Sequence, residues 1–320
     1  MQIIETTLSS LRLGAPASFR NLTIFPLLVK APGDADYLLL DEALGQGLAQ
    51  VTEVSEQGTV PELSFDNRAD RPVLLVDGEE LVGAKQNRVL NLSILVAAGK
   101  KVAIPVSCVE AGRWHYRGRH FSASRHKLYA KARAKKMAQV SESLRAHRSR
   151  RSDQGAIWDD ISEKMLRMKA ASMTASMEDI YVQREDDMES YVNAFEARPG
   201  QAGAVFAIDG EVVGAELFDS PATFAKYFGK LLWSYAMDAV DVDEAKPVAP
   251  VEDAVRSFLS EMIAAAAQQF AAVGEGQDVR LTGERLAGGA LVAGERVVHL
   301  AAFRVEPERE PDRFDEILAD

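Results

Sequence analysis

One cysteine, Cys108, stands in 320 residues, which excludes an intrachain disulfide and any cysteine-based metal cluster. The five histidines fall into no HxH or HExxH spacing, so no zinc site is indicated. Neither a G-x-G-x-x-G fingerprint nor a P-loop occurs, which removes the familiar dinucleotide and NTPase readings. No apolar run approaches the ~20 residues that span a bilayer. The start, "MQIIETTLSSLRLG", lacks a basic region followed by a long apolar stretch, so no secretory signal is read. These absences predict a soluble cytoplasmic protein without a membrane partner. An apolar share of 47% supplies a core, and 27% charged residues suit its surface.

Charge of one sign is scarce in one place. Between Arg113 and Arg151 there are 13 Lys or Arg and one acid, Glu142, inside a chain of net charge −11. Such a stretch suits nucleic acid or another anion. The alternative is a helix docking on the protein's own acidic surface, and the shortage of aromatics after Phe121 for stacking bases favours it.

The first hundred residues read as strands: "NLTIFPLLV", "LAQVTEV", "TVPELSF" and "PVLLV", with one short helix around "LDEALGQG". Two longer strands follow, "LVGAKQNRVLNLSILVA" and "KKVAIPVSCVE". From Ser122 to about Arg198 the pattern turns helical, with Ile157, Ile161, Met165 and Met168 forming an amphipathic stripe. "SMED" at 176–179 reads as a capping box, and Met173 and Met177 as core or interface fillers. Strands return at "GAVFAI" and "EVVGAELF" around an Asp-Gly turn. "DSPATF" then opens a helix bearing Phe224, Phe228, Leu231, Leu232, Tyr235 and Ala239 on one side. The linker "DVDEAKPVAPVED", an alanine-rich helix at 252–272, three strands and an acidic tail complete the chain. Hairpin-length connections predict an α+β class, with antiparallel β-rich halves, sandwich- or barrel-like, around a central helical segment. The organisation read is a β-rich part at 1–112, a basic then amphipathic helical segment at 113–200, an α/β part at 201–305 packing with the first as one domain, and a tail at 306–320.

"VDGEELVGAKQNRVLN" (76–91) crowds acids, amides, a lysine and an arginine beside a glycine turn. Its wording returns in "AIDGEVVGA" (207–215) and more faintly in "VAGERVV" (292–298). Duplication and convergence on the commonest hairpin dipeptide both account for this. If Ala97–Lys101 form a turn, Leu92 faces Val106, Leu90 faces Cys108, and Arg88 faces Glu110. Alternation then puts Gln86 on the same side as Arg88, while Lys85, Asn87 and Asn91 point to the other, where Asn91 meets Ser107. An arginine and a carboxylate at the end of an apolar face make either an ion pair closing the sheet or a pocket. In the pocket, Arg88 holds an anionic group and Glu110 accepts a hydroxyl or acts as a base. Arg113 and Trp114 follow directly and suit a phosphate and a flat base. Glu79 and Glu80 suit a divalent cation or acid–base work, or are exposed acids after a turn with no function; no metal site is assigned. Cys108 reads as a buried inert thiol, with a Cys/His nucleophile using His115 or His120 as the other option.

The words "LLVDGEELVGAKQNRVLNLSILV" and "IPVSCVEAGRW", with "DQGAIW" and "GAVFAIDGEVVGAELFDSPATFAKYFGKLLWSYAMDA", carry a resemblance. From about Asn21 to Phe303 the chain resembles the ARG- and rhodanese-phosphatase-superfamily-associated protein domain family, ARG standing for ADP-ribosylglycohydrolase. The resemblance implies a role near NAD or ADP-ribose metabolism, with enzymes of that metabolism as partners; it supplies no catalytic residue and no cofactor. The function expected is therefore binding of a nucleotide-like anionic ligand through Gln86, Arg88, Arg113 and Trp114. Glu110 is the candidate catalytic group should an ADP-ribose-type substrate be turned over. The alternative is a nucleic-acid or protein interaction module acting through 113–151.

Overall fold

The computed structural model describes residues 2–30, 33, 35–242 and 252–306. Its architecture is α+β and β-rich, and among the described residues every strand pairing but one is antiparallel. The largest sheet has nine strands. Its order is Arg12–Leu13, Leu22–Leu28, Gln201–Ile208, Glu211–Phe218, Arg296–Arg304, Leu286–Ala293, Gln277–Gly283 and Ala266–Ala271, with Ala17–Phe19 also on Leu22–Leu28. The early strand Leu22–Leu28 thus sits beside Gln201–Ile208, from the second half of the chain. One face packs against the helices Gln2–Ser10 and Glu252–Ala264 through Leu8, Phe25, Leu217, Phe258 and Leu300. The other face is covered by the helices Ala130–His147 and Pro221–Val240, around Phe206, Phe218, Tyr235 and Phe303.

The second sheet has six strands, ordered Phe121–Lys127, Glu79–Gly83, Arg88–Leu90, Lys101–Cys108, Glu62–Asn67 and Ala49–Glu53. A three-stranded sheet of Ile94–Val96, Val73–Leu75 and Leu38–Leu39 lies against it and shares its apolar core. Among the described residues no helix is long and apolar enough to cross a membrane.

Local signals explain the best-read elements. Asp209 and Gly210 both take positive φ, 51° and 82°, as a two-residue turn matched to strand twist requires, and Ile208 pairs with Glu211 across it. Ser220 caps the long helix by accepting from the Ala222 amide, and Pro221 occupies its first turn. Ile157, Ile161, Met165 and Met168 are all buried along the helix Gln154–Arg167.

Several expectations are corrected. "VDGEEL" is no hairpin, because Val73–Leu75 pairs with Ile94–Val96 and Glu79–Gly83 pairs with Phe121–Lys127. The long strand read at 81–97 is broken at Asn91–Ser93, and its last part joins the small sheet. Residues 121–127 form a strand where a helix was read, and the alanine-rich helix stops at Ala264 so that Ala266–Ala271 can pair with Gln277–Thr282. Strand pairing, with the distant Glu79–Gly83 in the first case and with the next strand in the second, overrides local preference. Ser176 holds the cap position but makes no side-chain cap bond, and Met173 is fully exposed. The linker at 243–251 and the tail from 307 lie outside the described residues.

Candidate functional site

The hairpin arithmetic is off by two residues. Arg88 faces Cys108 and Leu90 faces Val106, while Lys101–Pro105 pair instead with Glu62–Asp66. A slip of two preserves which face each side chain occupies but changes its partner. The expected Arg88–Glu110 cross-strand pair therefore does not form. Asn91 does meet Ser107, whose hydroxyl lies 2.6 Å from Asn91 Oδ1.

Glu110 pairs with Arg113, three residues on, and both are buried. Glu110 Oε1 accepts from Arg113 Nε (2.8 Å) and Thr174 Oγ1 (2.9 Å), and Oε2 accepts from the Asn87 amide (3.1 Å). Burial works to raise its pKa, but Arg113, Asn87 and Thr174 outweigh that and hold it below the usual carboxyl range. Arg113 directs its remaining donors to Ala84 O (2.6 Å), His115 O (3.1 Å), Gly83 O (3.2 Å) and Asn87 Oδ1 (3.1 Å). A guanidinium has five N–H groups, so none is left for a ligand. This clasp fixes the bend at 83–87, where Ala84 takes a positive φ of 35°. Gln154, from the "DQGAIW" word, grips the backbone of Cys108 on both sides, accepting from its amide (2.8 Å) and donating to its carbonyl (2.9 Å).

Arg88 is different. It is fully buried, and Nη1 donates to Gln86 Oε1 (3.1 Å), which also accepts from the Cys108 thiol (3.0 Å). Its Nε and Nη2 have no hydrogen-bond partner. Glu53, whose charge acts on Arg88, likewise has a buried, unpartnered Oε2. Burial lowers the pKa of Arg88 and pushes the Cys108 thiol up to about 11. Above them sits an aromatic cover. The Arg88 guanidinium carbon lies 5.7 Å from the centroid of Trp114, and Lys85 Nζ lies 5.2 Å from Trp114 and 5.0 Å from Tyr116. Both rings are half-exposed. Gln86, Arg88, Glu110, Arg113 and Trp114 are thus brought together, though by different contacts from those expected. Glu53 was missed; its strand ends at this point, and nothing in its local pattern marks it. Two surface hollows, about 770 Å³ beside Glu261 and Arg304 and about 460 Å³ beside Ala49 and Phe121, include none of the five.

A second polar group lies deep between the sheets. Arg133, on the helix Ala130–His147, donates to Asp77 from the first half (3.1 Å) and to Glu216 from the second. Lys136, one turn on, donates to Asp77 and to Leu90 O (2.7 Å). Glu216 also meets His299 Nε2 (3.1 Å), whose Nδ1 lies 2.8 Å from Ser93 Oγ. Glu79 accepts from the Val76 amide (2.8 Å) and Lys230 (3.0 Å). Burial pushes Lys127 down to about 7 and Lys136 to about 8. A cavity of about 10 Å³ lies here, lined by Asp77, Ser93, Arg280 and His299, with room for one water at most. Four cations of the basic stretch, Arg113, Lys127, Arg133 and Lys136, are therefore interior groups.

The acids after the glycine turn are not exposed, as one option had it: both are fully buried, on opposite sides of their strand. Glu80 lies with His126 and Glu178, one ligand-type atom from each falling within 4.8 Å of the others. His126 Nδ1 is 2.9 Å from Glu178 Oε2, and both Glu80 oxygens lack a hydrogen-bond partner. The three come from separate elements, so no spacing in the sequence announces them.

The fold and these three polar centres describe a β-rich α+β protein with charged groups built into its interior. The chain belongs to the ARG and Rhodanese-Phosphatase-superfamily-associated Protein domain family, which it matches over residues 10–303. No curated protein and no solved structure matches it.

Proposed function

We propose that this chain is a cytoplasmic protein that binds a small nucleotide-like ligand, of the ADP-ribose class, at Arg88 beneath Trp114 and Tyr116. The observation that carries the proposal is the unpartnered Nε and Nη2 of a fully buried arginine. Leaving buried donors unpaired costs about 1–3 kcal/mol each, and a phosphate would supply two acceptors in the matching planar geometry. Glu53, with an unpartnered buried oxygen of its own, accepts a ligand hydroxyl. Trp114 stacks on a flat base once it moves off Arg88. Gln86 holds the guanidinium in place, and the Glu110–Arg113 clasp forms the floor. Glu110, with both oxygens engaged, serves that floor rather than proton transfer. The family's name, which joins it to ARG and rhodanese-phosphatase proteins, supports the ADP-ribose setting.

A ligand that binds only the folded state raises the melting temperature by mass action. The test is a thermal-shift panel of NAD, ADP-ribose, ADP, inorganic phosphate and a short RNA. ADP-ribose-class compounds should raise the melting temperature of the wild type and not of Arg88→Met. No shift with any nucleotide at millimolar concentration, or an undiminished shift in Arg88→Met, refutes the proposal. A shift given by RNA alone and lost at high salt would instead favour the exposed cations of residues 113–151.

A further inference from the structure

We infer that Glu80, His126 and Glu178 form a binding site for one divalent transition-metal ion. Glu80 leaves the strand Glu79–Gly83 on the side opposite Glu79. The paired strand is irregular at that level: Ala123 faces Leu81 and Lys127 faces Glu79, so Ser124, Arg125 and His126 together oppose Glu80 alone. A bulge of this kind re-aims side chains. Here it turns His126 inward, where the ring stacks on Tyr181 (centroids 4.2 Å apart, 7° between planes) and meets the edge of Trp233 at 5.2 Å. Glu178 approaches from the helix Met177–Gln183. The imidazole plane is thus fixed by packing before any ligand arrives.

Glu80 is the anomaly that a cation resolves. Its carboxylate is fully buried, accepts no hydrogen bond, and faces a second carboxylate. A buried carboxylate beside a partly exposed one, their ligand atoms within 4.8 Å, is relieved by a shared proton or a cation. Ligand atoms within 4.8 Å of one another need only a small closure to reach metal bonds of about 2.0–2.2 Å. One imidazole and two carboxylates suit Zn²⁺ or Mn²⁺ better than all-oxygen ions such as Ca²⁺. Binding through Nδ1 needs its proton moved to Nε2, which now accepts from Arg125 Nε (3.1 Å). Arg125 is half-exposed and also meets Glu185, so it can turn away. Glu178, 27% exposed, marks the route from solvent.

The experiment is calorimetric titration of the chelator-treated full chain with Zn²⁺ and, separately, Mn²⁺. Glu80→Gln and Glu178→Gln run alongside, their folding checked by circular dichroism. Glu80→Gln removes only the charge, and Glu178 is partly exposed, so at least one variant should remain folded. One saturable equivalent of Zn²⁺ or Mn²⁺ in the wild type, weakened at least tenfold in each folded variant, supports the site. Absence of saturable binding of both ions overturns it and leaves a carboxyl pair sharing a proton. Binding undiminished in either folded variant also overturns it, assigning the metal to other surface groups.

Discussion

Two buried arginines, Arg88 and Arg113, should respond oppositely to the same change. Methionine is unbranched, apolar and adaptable enough to fill the space of either side chain. In Arg113→Met the protein loses bonds to Glu110, Ala84, His115, Gly83 and Asn87 and leaves Glu110 buried without its cation. Breaking a buried pair in this way costs about 3–5 kcal/mol. That is a large part of the 5–15 kcal/mol typical of a folded domain. Arg88→Met loses one hydrogen bond, to Gln86, with a net value of about 1 kcal/mol. It also removes two unpartnered buried donors, each carrying a desolvation cost of about 1–3 kcal/mol. With the Trp114 contact also lost, the expected outcome is neutral to stabilising by roughly a few kcal/mol. Urea unfolding followed by circular dichroism and fluorescence measures both midpoints, with the slope checked for constancy. If Arg88→Met is as destabilised as Arg113→Met, Arg88 has structural partners and the argument for a ligand at its free donors fails.

Three other outcomes are expected. Gly78→Ala should destabilise by about 1 kcal/mol or more, since Gly78 has a φ of +77° and a Cβ there would lie 2.8 Å from Arg133 Nε; an unchanged unfolding midpoint would show that Arg133 relaxes freely. For Glu216, burial alone would raise the pKa, but Arg133 and Lys127 hold it far below the ordinary 4.5. A depressed carboxyl contributes stability that is present above the unfolded value and lost as pH falls towards the folded one. The stability gap between wild type and Glu216→Gln should therefore be constant near neutrality and shrink below pH 4.5, and a gap independent of pH down to 3 would contradict this. The Cys108 thiol, pushed up to about 11 by burial, should resist a disulfide reagent at pH 8 until denaturant is added; prompt reaction in the native state would show the strand to open.

How far the sequence spoke depended on how local each signal was. The stripe from Ile157 to Met168, the Ser220–Pro221 cap and the Asp209–Gly210 turn are written within a few residues, and each forms as read. The pairing of Arg88 is not local. A turn at 97–101 is compatible with several registers, and the choice is made by Glu62–Asp66 taking up Lys101–Pro105 while Val73–Leu75 captures Ile94–Val96. Alternation survives a slip of two, so the faces of Gln86, Arg88 and Asn91 were legible while the partner of Arg88 was not. Glu110 and Arg113 were named, yet their mutual clasp depends on a bend after the strand rather than on any period. Glu80, His126 and Glu178 depend on a bulge and on a helix from another part of the chain, and neither has a signature in composition.

The charge asymmetry illustrates the same limit from the energetic side. A net charge counts residues without regard to depth, and the basic stretch invites a reading as an outward surface for anions. Arg133 and Lys136, three apart on one helix face, instead point between the sheets at Asp77 and Glu216. Each carboxylate alone would be an uncompensated charge in the interior, costing several kcal/mol. The helix Ala130–His147 supplies Asp77 with Arg133 and Lys136 and gives Glu216 its Arg133 partner, beside His299 and Lys127 from other elements. The acids belong to different sheets, Asp77 beside the small sheet and Glu216 in the large one, so one arginine joins them. Buried ion networks are exacting about geometry, because a displaced partner leaves a bare charge and not merely a weaker contact. The helix therefore cannot present this face to a nucleic acid without exposing the acids it neutralises. Its outward cations, such as Lys131 and Arg145, are what remain for any external anion. Four of the clustered cations, Arg113, Lys127, Arg133 and Lys136, thus serve as counter-charge inside the protein, and the rest stay nearer its surface.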